Sequence, residues 1–115
     1  MSEREFAELV AWQYGINLSR TVHELTAMLS KRSQEQTAAQ LRHSADAVPA
    51  QIADGRSSAH RTDRRRHMQM ALSSLEDLEL QLSRAHHAAG VSDTTVLNEK
   101  IARLRAMLTR LVATL

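Results

Sequence analysis

The residues of this chain with the clearest chemical potential are five arginines within one short stretch. Residues 56–67 contain those five arginines and one acid, Asp63, so the stretch carries a formal charge of +4 in a chain whose total is +2. Guanidinium groups bind phosphate oxygens through paired hydrogen bonds, and affinity built from such contacts falls steeply as salt rises. The pattern favours contact with a nucleic-acid backbone, although arginine runs are also typical of solvated helix ends. The candidate binding residues are Arg56, Arg61, Arg64, Arg65 and Arg66, with Arg42 on the preceding helix as a supporting contact.

Aromatic residues are scarce, which bears on how a nucleic acid would be recognised. The chain has only Phe6, Trp12 and Tyr14, and all three lie near its amino terminus, far in sequence from the arginines. Single-stranded bases are usually held by stacking on aromatic rings. We therefore expect binding to follow backbone charge and shape, for RNA or DNA alike, rather than base sequence.

The remaining titratable residues predict no catalytic, metal or cofactor site. Glu76, Asp77 and Glu79 could form an acid/base pair, but an ion pair for Asp77 within the bundle or between subunits is the favoured interpretation. The six histidines form neither H-E-x-x-H nor the E-x-x-H pattern of di-iron bundles. Cysteine is absent, so the chain has no thiolate ligand or nucleophile, and a cytoplasmic location is expected.

The elements that must position these side chains are four helices, which we predict at about 4–29, 34–54, 58–89 and 93–115. Apolar residues in each recur at spacings of three and four, as they do on one face of an α-helix. Pro49 lies inside the second stripe, and Gly55 is predicted to cap that helix at its carboxyl end. At the helix starts, Ser33 with Gln36, then Ser57 or Ser58, then Ser92 or Asp93 are the predicted caps, and Gly90 is predicted to end helix three. The predicted core residues are Ala11, Gly15, Leu18, Val22, Leu25, Leu29, Leu41, Ala45, Val48, Ile52, Met68, Ala71, Leu75, Leu78, Leu82, Ala85, Ala89, Leu97, Ile101, Leu104, Leu108, Leu111 and Leu115.

Short connections between consecutive helices predict an antiparallel up-down-up-down four-helix bundle, an all-α fold formed as one domain over residues 1–115. No stretch approaches the roughly 20 apolar residues of a membrane span. Leu72, Leu80 and Val112 lie off the predicted seams. They are interpreted either as ordinary exposed apolar surface or as a subunit interface.

Three short motifs carry a resemblance to a known family. Residues 48–55 (VPAQIADG), 71–79 (ALSSLEDLE) and 11–13 (AWQ) resemble S-I-P-x-N-I-A-E-G, A-x-G-S-x-x-E-L-E and V-W-Q of the four-helix-bundle proteins encoded by ribosomal-RNA intervening sequences. The chain departs from these patterns at Gln51, Asp54 and Ser73, and Arg64 and His67 stand where aromatic residues are usual. A related group is the accessory variability determinant of diversity-generating retroelements. The resemblance implies a four-helix bundle, assembly into a homopentameric ring, association with nucleic acid and, for the second group, a reverse-transcriptase partner.

Two functions follow from these observations. The first is a non-enzymatic, oligomeric nucleic-acid-binding accessory protein that contacts RNA or DNA backbone through the arginines at the junction of helices two and three. The alternative is a structural or protein-binding scaffold, for example a partner of a reverse transcriptase, without nucleic-acid binding of its own.

Overall fold

A computed structural model of the chain describes residues 1–31, 34–88, 91 and 94–115. Within these ranges the chain forms four α-helices and no strand: α1 (Glu3–Lys31), α2 (Glu35–Ser57), α3 (Arg61–Ala88) and α4 (Thr95–Thr114). The all-α, four-helix prediction is confirmed. The helices pack as an elongated body measuring 45 × 21 × 19 Å, in which α1 and α3 each contact both α2 and α4.

The core consists of the predicted apolar seams together with Ala38 and Val91, which were not predicted. Of the predicted core residues that lie in the described ranges, all are buried except Leu25, which is half-buried. Ala89 lies outside the described residues. The large buried side chains are aliphatic or methionine, and full burial of each such side chain contributes about 1.5–3 kcal/mol relative to exposure. Periodicity alone therefore located the apolar interior.

Pro49 lies inside α2 without interrupting the helix, and it packs against α1 at Gly15. The helix is continuous from Glu35 to Ser57 and Pro49 is buried. A Cβ atom added to Gly15 would lie 3.4 Å from the Cβ of Pro49 and 3.6 Å from Cδ1 of Ile52. These are ordinary van der Waals distances, so the helix packing at this position has room for one methyl group.

Two predicted caps at the junction of α2 and α3 are wrong. Gly55 lies within α2, and the helix ends two residues later, where Ser58 adopts an extended conformation and donates its amide to the Gly55 carbonyl at 3.2 Å. The hydroxyl groups of Ser57 and Ser58 both bond to the Asp54 carbonyl, at 3.1 and 2.8 Å, so they satisfy carbonyls at the end of α2. They do not cap α3, which begins later, at Arg61.

The other predicted helix ends fall partly outside the described residues. Ser33, Gly90, Ser92 and Asp93 belong to that group. At the start of α4 the N-cap position is held by Thr94, without a side-chain cap hydrogen bond, and the helix begins two residues later than expected. No helix in the described part of the chain is both long and apolar enough to cross a membrane.

Candidate nucleic-acid interface

Charged residues continue the apolar seams at one end of the bundle. On α1 the seam spacing extends backwards from Ala11 to Glu8 and Arg4. On α3 the same extension from Met68 reaches Arg64, and on α2 Arg56 lies one turn beyond Ile52. These side chains come from three helices, and the charges of Arg4, Arg56 and Arg64 all act on the Glu8 carboxyl. This end of the bundle is therefore charged, and we call it the arginine end. It comprises these residues and the other arginines of the first two turns of α3, Arg61, Arg65 and Arg66.

Glu8 lies beneath the arginines as a buried acid. It is 2% exposed, and Arg4 Nη1 donates to its Oε1 at 3.2 Å. Its second oxygen, Oε2, is buried and has no hydrogen-bond partner in the described part of the structure. Burial raises the pKa of the Glu8 carboxyl, and the nearby charges of Arg4, Arg64 and Arg56 oppose that rise.

Arg64 is held by backbone carbonyls. Its Nε donates to the Ser58 carbonyl at 3.1 Å and its Nη2 donates to the Ala59 carbonyl at 3.4 Å. In the described structure the ion pair of Asp63 is with Arg66, at 3.5 Å, and not with Arg64. Arg64 therefore ties the start of α3 to the segment that follows α2.

Two further arginines of the stretch are fixed by other helices. Arg65 Nη2 donates to the carbonyl of Leu115, at the carboxyl end of α4. The Arg56 guanidinium lies over the Trp12 ring of α1, 5.9 Å from its centroid, within the range of a cation–π interaction. The Trp12 ring is therefore a packing surface for Arg56.

Arg61 and Arg66 are the two arginines of residues 56–67 that have no hydrogen bond or cation–π contact with another helix or loop in the described structure. Both residues are exposed, and the Arg66 side chain is 63% exposed despite its ion pair with Asp63. An exposed ion pair of this kind contributes at most about 1 kcal/mol, so a phosphate group can displace it. These two arginines are the ones best placed to meet a nucleic-acid backbone.

The structure does not bring Arg42 to the arginine end. Arg42 forms an ion pair with Glu35 on the first turns of α2. It precedes Arg56 by 14 residues, which is about 21 Å along a helix. A nucleic acid on the arginine end would need to run along the bundle to reach it.

The other titratable residues singled out by the sequence are dispersed. Asp77 is exposed, so the interpretation of it as half of an ion pair inside the bundle is wrong. Its neighbour Glu79 instead accepts from Arg105 Nη2 at 2.7 Å. His86 Nδ1 lies 2.6 Å from the Val91 carbonyl. No group of three or more histidine, aspartate or glutamate side chains in the described ranges could hold a metal ion.

Two grooves flank α1. The first, which we call the Trp12 groove, lies between α1 and α2, has a volume of about 310 Å³ and is lined by Trp12, Ile16, Ser19, Asp46, Pro49, Ala50 and Ala53. The second, the Phe6 groove, lies between α1 and α4 and has a volume of about 450 Å³. Its walls include Phe6, Val10, Met107 and Leu111, and Phe6 itself is 60% exposed. Both are surfaces that the sequence pattern did not reveal.

Comparison with known proteins places the chain in a family. A family model described as 23S rRNA-intervening sequence protein matches residues 7–110. The chain belongs to the 23S rRNA-intervening sequence protein family. The family match spans Glu8 and every arginine predicted to bind nucleic acid, while Arg4 and Leu115 lie just outside it.

A solved structure supports the same fold. The chain is similar to the crystal structure of a protein of unknown function from the S23 ribosomal protein family of Bacteroides thetaiotaomicron VPI-5482, with a TM-score of 0.87. The likeness covers 93% of this chain and 98% of that one at 14% sequence identity. At that identity the comparison shows a shared fold. No curated protein matches the sequence.

Proposed function

We propose that this member of the 23S rRNA-intervening sequence protein family is a non-enzymatic, oligomeric accessory protein of the cytoplasm that binds RNA or DNA backbone through its arginine end. The observation that carries the proposal is the convergence of Arg56, Arg61, Arg64, Arg65 and Arg66 on one end of the bundle. Three of them contact Trp12, loop carbonyls or Leu115, and the other two are exposed without a polar contact to another helix in the described structure.

A partly fixed arginine set suits phosphate binding. Long side chains lose about 2 kcal/mol of rotamer entropy when they are immobilised, and anchoring in the free protein reduces the part of that cost which falls on binding. The buried Glu8 offsets some of the positive charge, so affinity per copy should be modest. Repetition of the arginine end in a homo-oligomer would raise overall affinity through multivalency.

The proposed assembly is a homopentameric ring of antiparallel up-down-up-down bundles, as the family resemblance implies. Side-chain hydrogen bonds support the antiparallel order. Ser44 and Gln51 of α2 bond to Gln81 and Ser74 of α3 respectively, each at 2.9 Å, so residue numbers rise along one helix as they fall along the other. The subunit number rests on the resemblance.

A salt titration with matched variants tests the proposal. Binding of fluorescent single strands and duplexes of RNA and DNA would be followed by anisotropy, and the mass of the same samples by light scattering. We compare wild type with R61Q/R66Q and with the control R20Q/R103Q, which removes two exposed arginines elsewhere on the bundle. All four positions are exposed, so neither variant should alter helix content.

For a single strand we expect the slope of log K against log salt to fall by about 0.7 for each phosphate contact removed, or about 1.4 per copy for R61Q/R66Q. The control should retain the wild-type slope. Equal losses in the two variants would mean that binding follows net charge and that the arginine end is not the site. Failure of the wild type to bind any of these probes at low salt would reject nucleic-acid binding altogether.

The Phe6 groove favours the alternative, a protein-binding scaffold. It is largely apolar, and Arg4 and Arg110 line it beside Glu3. Exposed apolar surfaces with a polar rim are typical of protein-interaction sites. A reverse transcriptase is the partner that the family resemblance suggests. Co-purification of such a partner that F6E abolishes and R61Q/R66Q preserves would support the scaffold function.

A further inference from the structure

The Trp12 groove has opposite charges at its two ends. Asp46 lies at one end, where its Oδ1 accepts from Ser19 Oγ at 2.5 Å and lies 2.8 Å from His23 Nε2. No hydrogen bond in the described structure uses the second oxygen, Oδ2, of Asp46. Arg56 lies at the other end, over Trp12. Asp46 and Arg56 are ten residues apart on α2, or about 15 Å.

The floor between these charges is apolar and shallow. Pro49, Ala50 and Ala53 line it on the α2 side, and Trp12 and Ile16 line it on the α1 side. Ile16 is 38% exposed, so part of its apolar side chain is accessible from outside. Small residues beside a tryptophan leave room for an apolar side chain from outside.

The outward face of α3 carries a complementary stripe. Met70, Ser73, Asp77, Leu80 and Arg84 follow one another at spacings of three, four, three and four, so they form one narrow row, which we call the α3 ridge. Met70 and Leu80 are 42% and 52% exposed. Leu80 is flanked by an exposed acid and an exposed base, Asp77 and Arg84, about 10 Å apart along the helix.

We infer that the α3 ridge of one copy docks into the Trp12 groove of a second copy. In this contact Leu80 enters the apolar floor, Asp77 faces Arg56, and Arg84 faces Asp46. The order acid, apolar, base on the ridge matches the order base, apolar, acid along the groove. The charges are about 15 Å apart along the groove and about 10 Å apart along the ridge, and the long arginine side chains can cover that difference. The inference rests on the proposed homo-oligomer and specifies its interface.

The occupant is a second copy because the same chain supplies both halves of the charge pattern. Every copy offers one groove and one ridge, so a copy that receives the ridge of one neighbour can give its own ridge to another, which makes the contact heterologous. Heterologous contacts build rings when the rotation between copies closes and open filaments when it does not. The inclination of the α3 ridge in the groove would therefore fix the number of subunits.

Disulfide trapping tests the contact directly, because the chain has no cysteine of its own. One chain carries A50C in the groove and a distinguishing tag, and a second carries L80C on the ridge. The control pair combines A50C with V96C, whose side chain on α4 is 55% exposed and lies off the ridge. The three positions are exposed, so folding should not be affected. Mixtures are oxidised and separated on non-reducing gels.

We expect the A50C and L80C chains to form a mixed covalent dimer at least tenfold more abundant than the one formed by the control pair. Equal yields from the two pairs, or no mixed dimer in a sample whose mass shows assembly, would overturn the contact. A wild-type protein that is monomeric at every concentration would overturn both the contact and the proposed oligomer. Loss of nucleic-acid binding with trapping intact would reject only the binding function.

A charge exchange gives a second, independent test. D46R should reduce the assembled mass by placing two arginines opposite each other, and D46R/R84D should restore it by exchanging the two charges. Circular dichroism of both variants checks helix content. Assembly that is unaffected by D46R, or not restored in the double variant, would contradict the assignment of Arg84 to Asp46.

Discussion

Replacing Gly15 with alanine should raise the free energy of unfolding, whereas replacing Gly55 with alanine should lower it. In a helix interior alanine is favoured over glycine by about 0.8–1.0 kcal/mol. At Gly15 the new methyl group would meet Pro49 and Ile52 at 3.4–3.6 Å, which is ordinary van der Waals contact. G15A should therefore keep the propensity gain and raise the free energy of unfolding by about 1 kcal/mol.

At Gly55 the same methyl group meets α3 too closely. The added Cβ would lie 2.9 Å from Met68 Cε and 3.2 Å from His67 Cβ. The methionine tip can rotate, but the His67 Cβ is attached to the helix backbone, so α2 and α3 must separate slightly. Overpacking of this kind costs about 1–3 kcal/mol, and G55A should have a net destabilising effect of about 1 kcal/mol after the propensity gain.

Thermal and urea unfolding at matched protein concentration measure both effects. Unfolding of 115 residues carries an entropy of about 240 cal/mol/K, so 1 kcal/mol corresponds to about 4 °C in Tm. G15A should melt about 4 °C higher than wild type and G55A about 4 °C lower. G55A should lower the free energy of unfolding less in an M68A background than in the wild type, because the shorter side chain at position 68 no longer obstructs the new methyl group. A G55A variant stabilised as much as G15A would refute the close approach of α2 and α3.

Three further outcomes follow from burial and hydrogen bonding. Burial raises the pKa of Glu8, so the stability that the Glu8 carboxyl contributes is fully present below its unfolded-state pKa and is lost as pH rises through its folded-state pKa. E8Q should therefore raise the free energy of unfolding at pH 7.5 and change it little at pH 4. Urea titrations that show the reverse would mean that the ion pairs of Glu8 dominate. Leu108 is fully buried, so L108A should cost about 2–5 kcal/mol in urea unfolding while the exposed-site control V96A stays within about 0.5 kcal/mol. Because Arg65 donates to the carbonyl of Leu115, the residue that follows α4, R65Q should accelerate hydrogen exchange in the last turn of that helix, whereas R66Q should not.

The aliphatic seams were predictable because helical periodicity and burial are expressed locally in the sequence. The α4 seam from Leu97 to Leu115 illustrates this, since each of its residues is buried as expected. Gly55 shows the limit of local signals. Glycine near a helix end is typical of a cap, but here its small size serves the packing of α3, and that contact depends on tertiary structure.

The residues of the candidate site could be identified from the sequence, but their contacts with one another and with the rest of the bundle could not. Counting charges found the five arginines of residues 56–67 but treated them as equivalent. Which of them are held by other parts of the chain depends on partners as distant in sequence as Trp12 and Leu115. The buried Glu8 could have been found by extending the α1 seam backwards by three residues. What the sequence could not show is that this acid lies beneath arginines about 50 residues away.

The position of Arg56 over Trp12 places one side chain at the border of two surfaces. Arg56 belongs to the arginine end, and it also lies over Trp12, which lines the Trp12 groove. A phosphate that draws Arg56 away and a neighbouring carboxylate that pairs with it would compete for the same charge. Coupling between two binding events is reciprocal, so nucleic acid would loosen the assembly by the same factor by which assembly weakens each copy's hold on nucleic acid. Under the two proposals, assembly and nucleic-acid binding would therefore be coupled through Arg56.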